Sequence, residues 1–294
     1  MRSDRMSKRI TLISAAALGA LAPLLAALPA AAQTVGANAA VINDVTMTTQ
    51  AQPVRHRAVV KERVSLGNDI DTGRASRLQV LLLDRTIFAL GSNSRIKVDR
   101  FVYDPSRKAS AVGLSVARGT FRFMSSRALH ANPGQSSIRT PVATIGVRGT
   151  IVEGAVGAAA LMIARREAGL GRYAGDPQTA SLILLRGPGA NAQGGETPGA
   201  IDVMVGDKTV PVEQPGYAVF VPGAGQPLIG PFLMSRAGSA MLSDMLGTSA
   251  AQIAAEERQV LQRNPVVDDF FENDKGERQT RPSPNQPSPN SPTP

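Results

Sequence analysis

The sequence predicts a mainly β protein: an antiparallel sandwich or roll with further strands behind it, two C-terminal helices and a disordered Pro-rich tail. Three observations carry this. Apolar and polar residues alternate in short runs between residues 54 and 221. Gly, Pro, Asn and Asp separate those runs at regular intervals, as they do in sandwiches and barrels. Helical spacing of apolar residues appears only beyond Phe232.

The first residues read as an address. Arg2, Arg5, Lys8 and Arg9 form a basic start, and residues 10–32 carry no charge. The stretch ends Leu28-Pro29-Ala30-Ala31-Ala32-Gln33. A basic region, an apolar region, a helix-breaking Pro and an A-x-A site in that order predict a secretory signal peptide over 1–32, cleaved between Ala32 and Gln33. The alternative is an uncleaved anchor, since the uncharged stretch is long enough to span a bilayer. No second stretch of that length follows, so no membrane span is expected after cleavage.

Residues 33–53 are small and polar and read as a flexible lead-in, with a short strand at 40–45. A β domain is expected over 54–152. Within it, Arg77 to Leu83 alternates and then turns wholly apolar, as a buried strand does. Asp84-Arg85 forms a hairpin tip before the strand Thr86 to Gly91. Arg95-Ile96-Lys97-Val98-Asp99-Arg100-Phe101 alternates charged and apolar residues and predicts one wet face. Two strands are expected at 111–117 and 119–124, around Arg118-Gly119. A loop follows at 131–134, then an extended run from Ser137 to Val152.

A further β region is expected over 153–231. It holds a run at 158–166 that fits strand or helix, with strand favoured, strands at 181–185, 201–205, 209–212 and 217–221, and a Gly-rich excursion at 187–199. Pro231 is expected to end the β texture. Over 232–264, Met241, Leu242, Met245 and Leu246 predict one helix. Ser249 with Gln252 is a capping box for a second helix over 250–262. Residues 265–294 form an acidic and then Pro-rich tail with the composition of a disordered segment.

Composition excludes several chemistries. The 294 residues contain no Cys, no Trp and two His. Disulfides, Cys-ligated metals and cysteine nucleophiles are therefore impossible, and a His-rich zinc site is not available. Neither a metal nor a cofactor is expected. Net charge is +9, and it is uneven: residues 54–150 hold 17 basic and 6 acidic residues, most of the basic ones Arg. An excess of that kind steers a protein toward acidic surfaces. In an exported protein those are envelope proteins or glycans rather than nucleic acid.

Three segments in order resemble the FecR domain family. They are Gly67-Asn68-Asp69-Ile70-Asp71-Thr72-Gly73, then Leu83-Asp84-Arg85-Thr86-Ile87-Phe88-Ala89-Leu90-Gly91, then Thr140-Pro141-Val142-Ala143-Thr144-Ile145-Gly146-Val147-Arg148-Gly149-Thr150. The last resembles the family signature, with a Thr-Pro opening and an Arg-Gly-Thr close. The sequence departs from the family pattern at Asp84-Arg85, where Asp-Gly is usual, and after Thr150, where an aromatic often follows. The resemblance implies a FecR-like, exported, all-β sensory or interaction domain without known catalysis. It marks Gly67, Asp69, Thr72, Gly73, Asp84, Thr140, Pro141, Gly146, Arg148, Gly149 and Thr150 as motif residues with structural or partner-binding roles. Well-known relatives are regulators with a cytoplasmic anti-sigma domain ahead of a membrane helix. Only nine residues precede the apolar run here, too few for that domain.

Physical reading of the motif pairs Arg148 with a buried carboxylate such as Asp84, and gives Gly146 and Gly149 to tight backbone packing or a bulge. Other candidates weigh less. Asp71-Thr72-Gly73 matches the aspartic-protease tripeptide, which needs two carboxylates sharing a proton. Asp69 and Asp71 share one side of a strand, as Ca²⁺ ligands would, but further ligands are not evident. His130 reads as a surface-loop residue. The expected function is therefore non-enzymatic: an envelope interaction or sensory module in the periplasm or outside the cell, binding a protein or glycan partner. Alternatives are a periplasmic regulator relaying an envelope or iron-uptake signal, and an envelope structural or assembly factor.

Overall fold

A computed structural model describes residues 33–49, 53–107, 109–130, 134–171, 173–191 and 198–247. The expected signal peptide, the loop residues 131–133, the centre of the Gly-rich excursion, the second C-terminal helix and the tail lie outside the described residues.

Among the described residues there are 17 strands and three helices. The first nine strands are β1 (Thr34–Ile42), β2 (Val45–Thr48), β3 (His56–Arg57), β4 (Arg63–Ser65), β5 (Asp69–Thr72), β6 (Arg77–Leu82), β7 (Ile87–Leu90), β8 (Arg95–Asp104) and β9 (Ala109–Met124). Helix α1 (Arg127–His130) leads to β10 (Ser136–Arg139), β11 (Thr144–Arg148) and β12 (Ile151–Val156). Helix α2 (Ala158–Ala164) precedes β13 (Ser181–Gly187), β14 (Ala200–Val205), β15 (Lys208–Val212), β16 (Tyr217–Val221) and β17 (Ile229–Leu233). Helix α3 (Arg236–Leu246) follows.

The strands form two sheets that share β9. One runs β4-β1-β6-β7-β9-β12-β13-β16-β17. The other runs β3-β2-β5-β8-β9-β10-β11-β14-β15. Every pairing is antiparallel except β9 with β10. Strand β9 is 16 residues long and crosses from one sheet to the other. Its first part pairs with β8 and β10, and its last part with β7 and β12. The change falls at Arg118-Gly119, where Gly119 has φ +87° and a Cβ would run into Ser94. A left-handed residue in mid-strand turns the chain through the corner that joins two packed sheets. The two strands expected around Arg118-Gly119 are thus one strand with a corner.

Between the sheets lies the main core. Val80, Leu82, Phe88, Leu90, Phe121 and Phe123 meet Met47, Ile70, Ile96, Leu114, Ile145 and Val203, all buried. The outer face of the first sheet carries a second apolar layer. Leu182, Leu184, Ala218 and Phe220 are roofed by Ala160 and Ile163 of α2 and by Leu242 and Leu246 of α3. This covered sheet is buried on both faces, which is why β12 is buried at every position. The outer face of the second sheet has no such roof, and its strands alternate as β8 and β11 do.

Three expectations are corrected. Of the expected lead-in over 33–53, residues 34–48 are not loose: β1 and β2 are strands of the two sheets, with Val35, Val45 and Met47 fully buried. The small side chains expected to leave this segment mobile instead let it pack closely, since a Cβ on Gly36 would run into the Leu81 carbonyl. Asn43, at φ 61°, makes the turn between β1 and β2. Residues 158–164 are helix rather than strand, because Ala160, Ile163 and Ala164 recur at helical spacing toward the covered sheet. Pro231 does not end the β structure. It lies inside β17, which pairs with β16 on one side only, and at an edge a missing N–H costs nothing.

Helix α3 is capped at both ends. Ser235 Oγ accepts from Gly238 N at 3.0 Å, and Gly247 ends the helix at φ 68°. Glu167, buried after α2, accepts from Ser235 N at 2.9 Å and from Ser235 Oγ at 2.8 Å, placing a carboxylate at the α3 N-terminus.

Candidate functional site

The motif residues gather in three places. The first is the Asp-Thr-Gly turn at the end of β5. Thr72 Oγ1 donates to the Gly91 carbonyl at 2.6 Å and accepts from Ser94 N at 2.9 Å, while Thr72 N donates to the Ser94 carbonyl. Gly73 N donates to the Asp44 carbonyl, and a Cβ there would press on the Asp44 side chain. Gly67, at φ 82°, forms the turn that leads into β5. These residues stitch β5 to the turn before β8.

Asp71 points outward from the same strand, yet is only 8% exposed. Arginines cover it. Arg118 Nη2 donates to Oδ1 at 2.9 Å and Arg55 Nη1 to Oδ2 at 2.8 Å. Arg95 Nε stands 3.7 Å from Asp71 and 3.8 Å from Asp69. Both Asp71 oxygens are therefore taken by guanidinium groups, not shared with a second carboxylate as the protease reading requires. The Ca²⁺ reading fails on the same residues, and no cluster of three or more acidic or His side chains suited to a metal occurs among the described residues. Above Asp71 opens a cleft of about 1120 Å³. Its floor is this arginine group, and its other wall is the start of α2 with the end of α3.

The second place is the β6–β7 hairpin. Asp84 is 3% exposed and accepts four hydrogen bonds: from Thr86 N (2.9 Å), Thr86 Oγ1 (2.8 Å), Ser110 Oγ (2.6 Å) and Ser126 Oγ (3.1 Å). Arg85 beside it takes φ 71°, the left-handed angle that the Gly usual in the family would adopt without strain. The expected Arg148–Asp84 pair is corrected: hydroxyls satisfy Asp84, and Arg148 lies on the open sheet, where Nη2 meets Asp202 at 3.1 Å and Glu213 at 3.9 Å.

The third place is the signature segment. Thr140 and Ala143 exchange main-chain and side-chain hydrogen bonds across the β10–β11 turn that contains Pro141. Thr140 Oγ1 also accepts from Ser181 Oγ at 2.9 Å. Gly149, at φ 61°, turns the chain from β11 into β12, and its carbonyl lies 2.5 Å from His130 Nε2. A Cβ on Gly149 would enter the His130 ring, so this His is a packing partner of the motif rather than a loop residue. Thr150 Oγ1 donates to the Pro188 carbonyl at 2.7 Å. Gly146 differs, since a Cβ there meets only ordinary contacts at 3.8 Å or more, so close packing inside the chain does not require it.

Sequence reading missed two charge groups. One is the arginine convergence on Asp71. The alternating charges of both strands were visible, but the register that sets Asp69 and Asp71 of β5 opposite Lys97 and Arg95 of β8 was not. The other is a buried network on the covered sheet. Glu153, fully buried, takes Arg122 Nε at 2.8 Å and Nη2 at 2.6 Å, and Arg186 Nη2 lies 3.0 Å from its other oxygen. Arg122 is 1% exposed, and Arg186 reaches Ser243 of α3. No alternation announces charges inside strands that are otherwise apolar.

Residues 68–164 match the model of the FecR protein family. The matched stretch runs from the turn before β5 to the end of α2, so it contains every motif residue except Gly67, and the strand that links the sheets. Two crystal structures of a candidate anti-sigma factor from Parabacteroides distasonis, at 1.65 and 2.50 Å resolution, are similar to the chain at 13% identity and a TM-score of 0.34. The similarity covers 55% of this chain and 57% of that one, so the chain spans little more than half of that protein's length. No curated protein matches the chain. No helix among the described residues is long and apolar enough to cross a membrane.

Proposed function

We propose that this protein is an exported, non-enzymatic module of a signal-transduction system that binds an acidic protein or glycan of the cell envelope. The FecR match over residues 68–164 carries the reading, because the matched residues supply β5, β8, β9, β10 and β11 of the unroofed sheet and Arg95, Arg118, Arg139 and Arg148 on it. On that face Arg55, Arg95, Arg118, Arg139 and Arg148 have side chains 38–58% exposed. Their carboxylate partners hold them in place without using up their donors, since one guanidinium carries five N–H groups. Such a face recognises carboxylate or phosphate bidentately and is sensitive to salt. The basic, apolar and Ala-rich order of residues 1–32 supports export.

The test is capture from envelope extract by the full chain at low and at high salt, alongside Arg139→Glu and Arg148→Glu. Specific capture at low salt, lost at high salt and in both variants, is the expected result. Capture indifferent to salt and to both substitutions overturns the proposal. Intact mass of the exported protein, with Gln33 as first residue, checks cleavage.

A further inference from the structure

We propose that the cleft over Asp71 is an internal docking site, filled by the acidic and aromatic segment around Phe270-Phe271 of the same chain. The cleft's size exceeds that of most small-molecule pockets, and it suits a stretch of peptide. Its floor has unspent donors: the Arg95 guanidinium stands 3.7 Å from Asp71 and 3.8 Å from Asp69 without hydrogen-bonding a described residue, and the Arg118 side chain beside it is 57% exposed. Its other wall is apolar, with Ala159, Met245 and the 45% exposed Met162.

One segment of the chain combines what the two walls ask for. Asp268, Asp269 and Glu272 flank Phe270 and Phe271. Carboxylates match Arg95 and Arg118, and phenyl rings match methionine sulfur and guanidinium faces. Asp44 and Asp244 also line the cleft, so the acids are accepted only on the arginine side, which orients the segment. Position favours an occupant in cis. Asp244 and Met245 belong to the last turn of α3, and the described chain ends at Gly247, beside the cleft. The residues between Gly247 and Asp268 reach across it easily, at about 3.3 Å each when extended. Tethering gives the segment a high effective concentration, so weak individual contacts suffice.

The chain has no Cys, so paired substitutions test this in the full-length protein. Met162→Cys with Phe270→Cys is compared with Val102→Cys and Phe270→Cys; Val102 is 49% exposed on β8, seven residues along from Arg95. Disulfide formation under mild oxidation is followed on non-reducing gels. The first pair is expected to close at least ten-fold faster, and Arg95→Glu or high salt to bring it down to the second. Equal rates overturn the proposal. A fast rate indifferent to both Arg95→Glu and salt overturns it too, since the acids would then not be recognised. Where melting shows Met162→Cys to be unfolded, Ala159→Cys takes its place. No envelope partner is present, so failure here is separate from failure of the function proposed above.

Discussion

The two sheets are built from similar strands but handle charge in opposite ways. The covered sheet has apolar layers on both faces, and at its centre Arg122 and Glu153 are buried and bound to each other, with Arg186 on the other carboxylate oxygen. The open sheet carries a ladder of Arg and Asp on its outer face, with the arginine side chains 38–58% exposed and their carboxylates 10–33%. Similar ion pairs therefore have different consequences. Breaking a buried pair strands a charge in low dielectric. Breaking an exposed one returns both partners to solvent. The covered sheet therefore has more stability to lose from a broken pair than the open one.

Removing Glu153 is the sharpest way to break this comparison. Glu153→Ala leaves Arg122 buried without its partner and is expected to cost about 3–5 kcal/mol in urea unfolding. Arg122→Met together with Glu153→Leu is expected to recover most of that loss, because the charge left without the carboxylate is then Arg186, which is a quarter exposed and also reaches Ser243. On the open sheet, Arg148→Ala is expected to cost less than about 1 kcal/mol, its partner Asp202 being a third exposed. Equal losses for Glu153→Ala and Arg148→Ala would end the distinction.

Asp84→Ala ranks next, at about 2–3 kcal/mol, because buried donors on Thr86, Ser110 and Ser126 lose their acceptor. Gly149→Ala follows at about 1–2 kcal/mol from its left-handed φ and the His130 ring, with part of the loss recovered by His130→Ala. Gly146→Ala, in the same motif, is expected to stay within about 0.5 kcal/mol in thermal melts.

The smallest effect is one of pH. The Thr179 hydroxyl, followed by the Gln178 N–H, holds the Asp176 carboxyl below the usual carboxylate range. A lowered folded-state value contributes stability that is present above the unfolded value and lost as pH falls through the folded one. Thr179→Ala is thus expected to lower the melting temperature slightly at neutral pH and to leave it nearly unchanged at low pH, where Asp176 is protonated, so that the acid limb of the melting curve flattens.

Much of the β pattern was legible in the residues. The Asp84-Arg85 hairpin tip, the half-wet β8 and the strands from Ser181 to Val221 follow from alternation and turn residues alone. What escaped has common causes. Small polar residues concealed β1 and β2, whose burial comes from strands far along the chain. An Ala-rich run reads equally as strand or helix until a neighbouring layer selects one face. The partner of Arg148 was misplaced because Asp202 lies on β14, brought alongside β11 only by long-range pairing.

By itself the sequence determined the β class, the positions of the turns, the absence of cysteine chemistry and the basic bias of residues 54–150. Those are local properties, set by side-chain type and by the backbone angles that Gly, Pro, Asn and Asp prefer. Only the tertiary structure decided which strands share a sheet, where β9 turns its corner, which charges are buried and which arginines meet over Asp71. Those depend on contacts between residues distant in the chain, where the cost of burying a charge is settled by whatever partner the fold brings beside it.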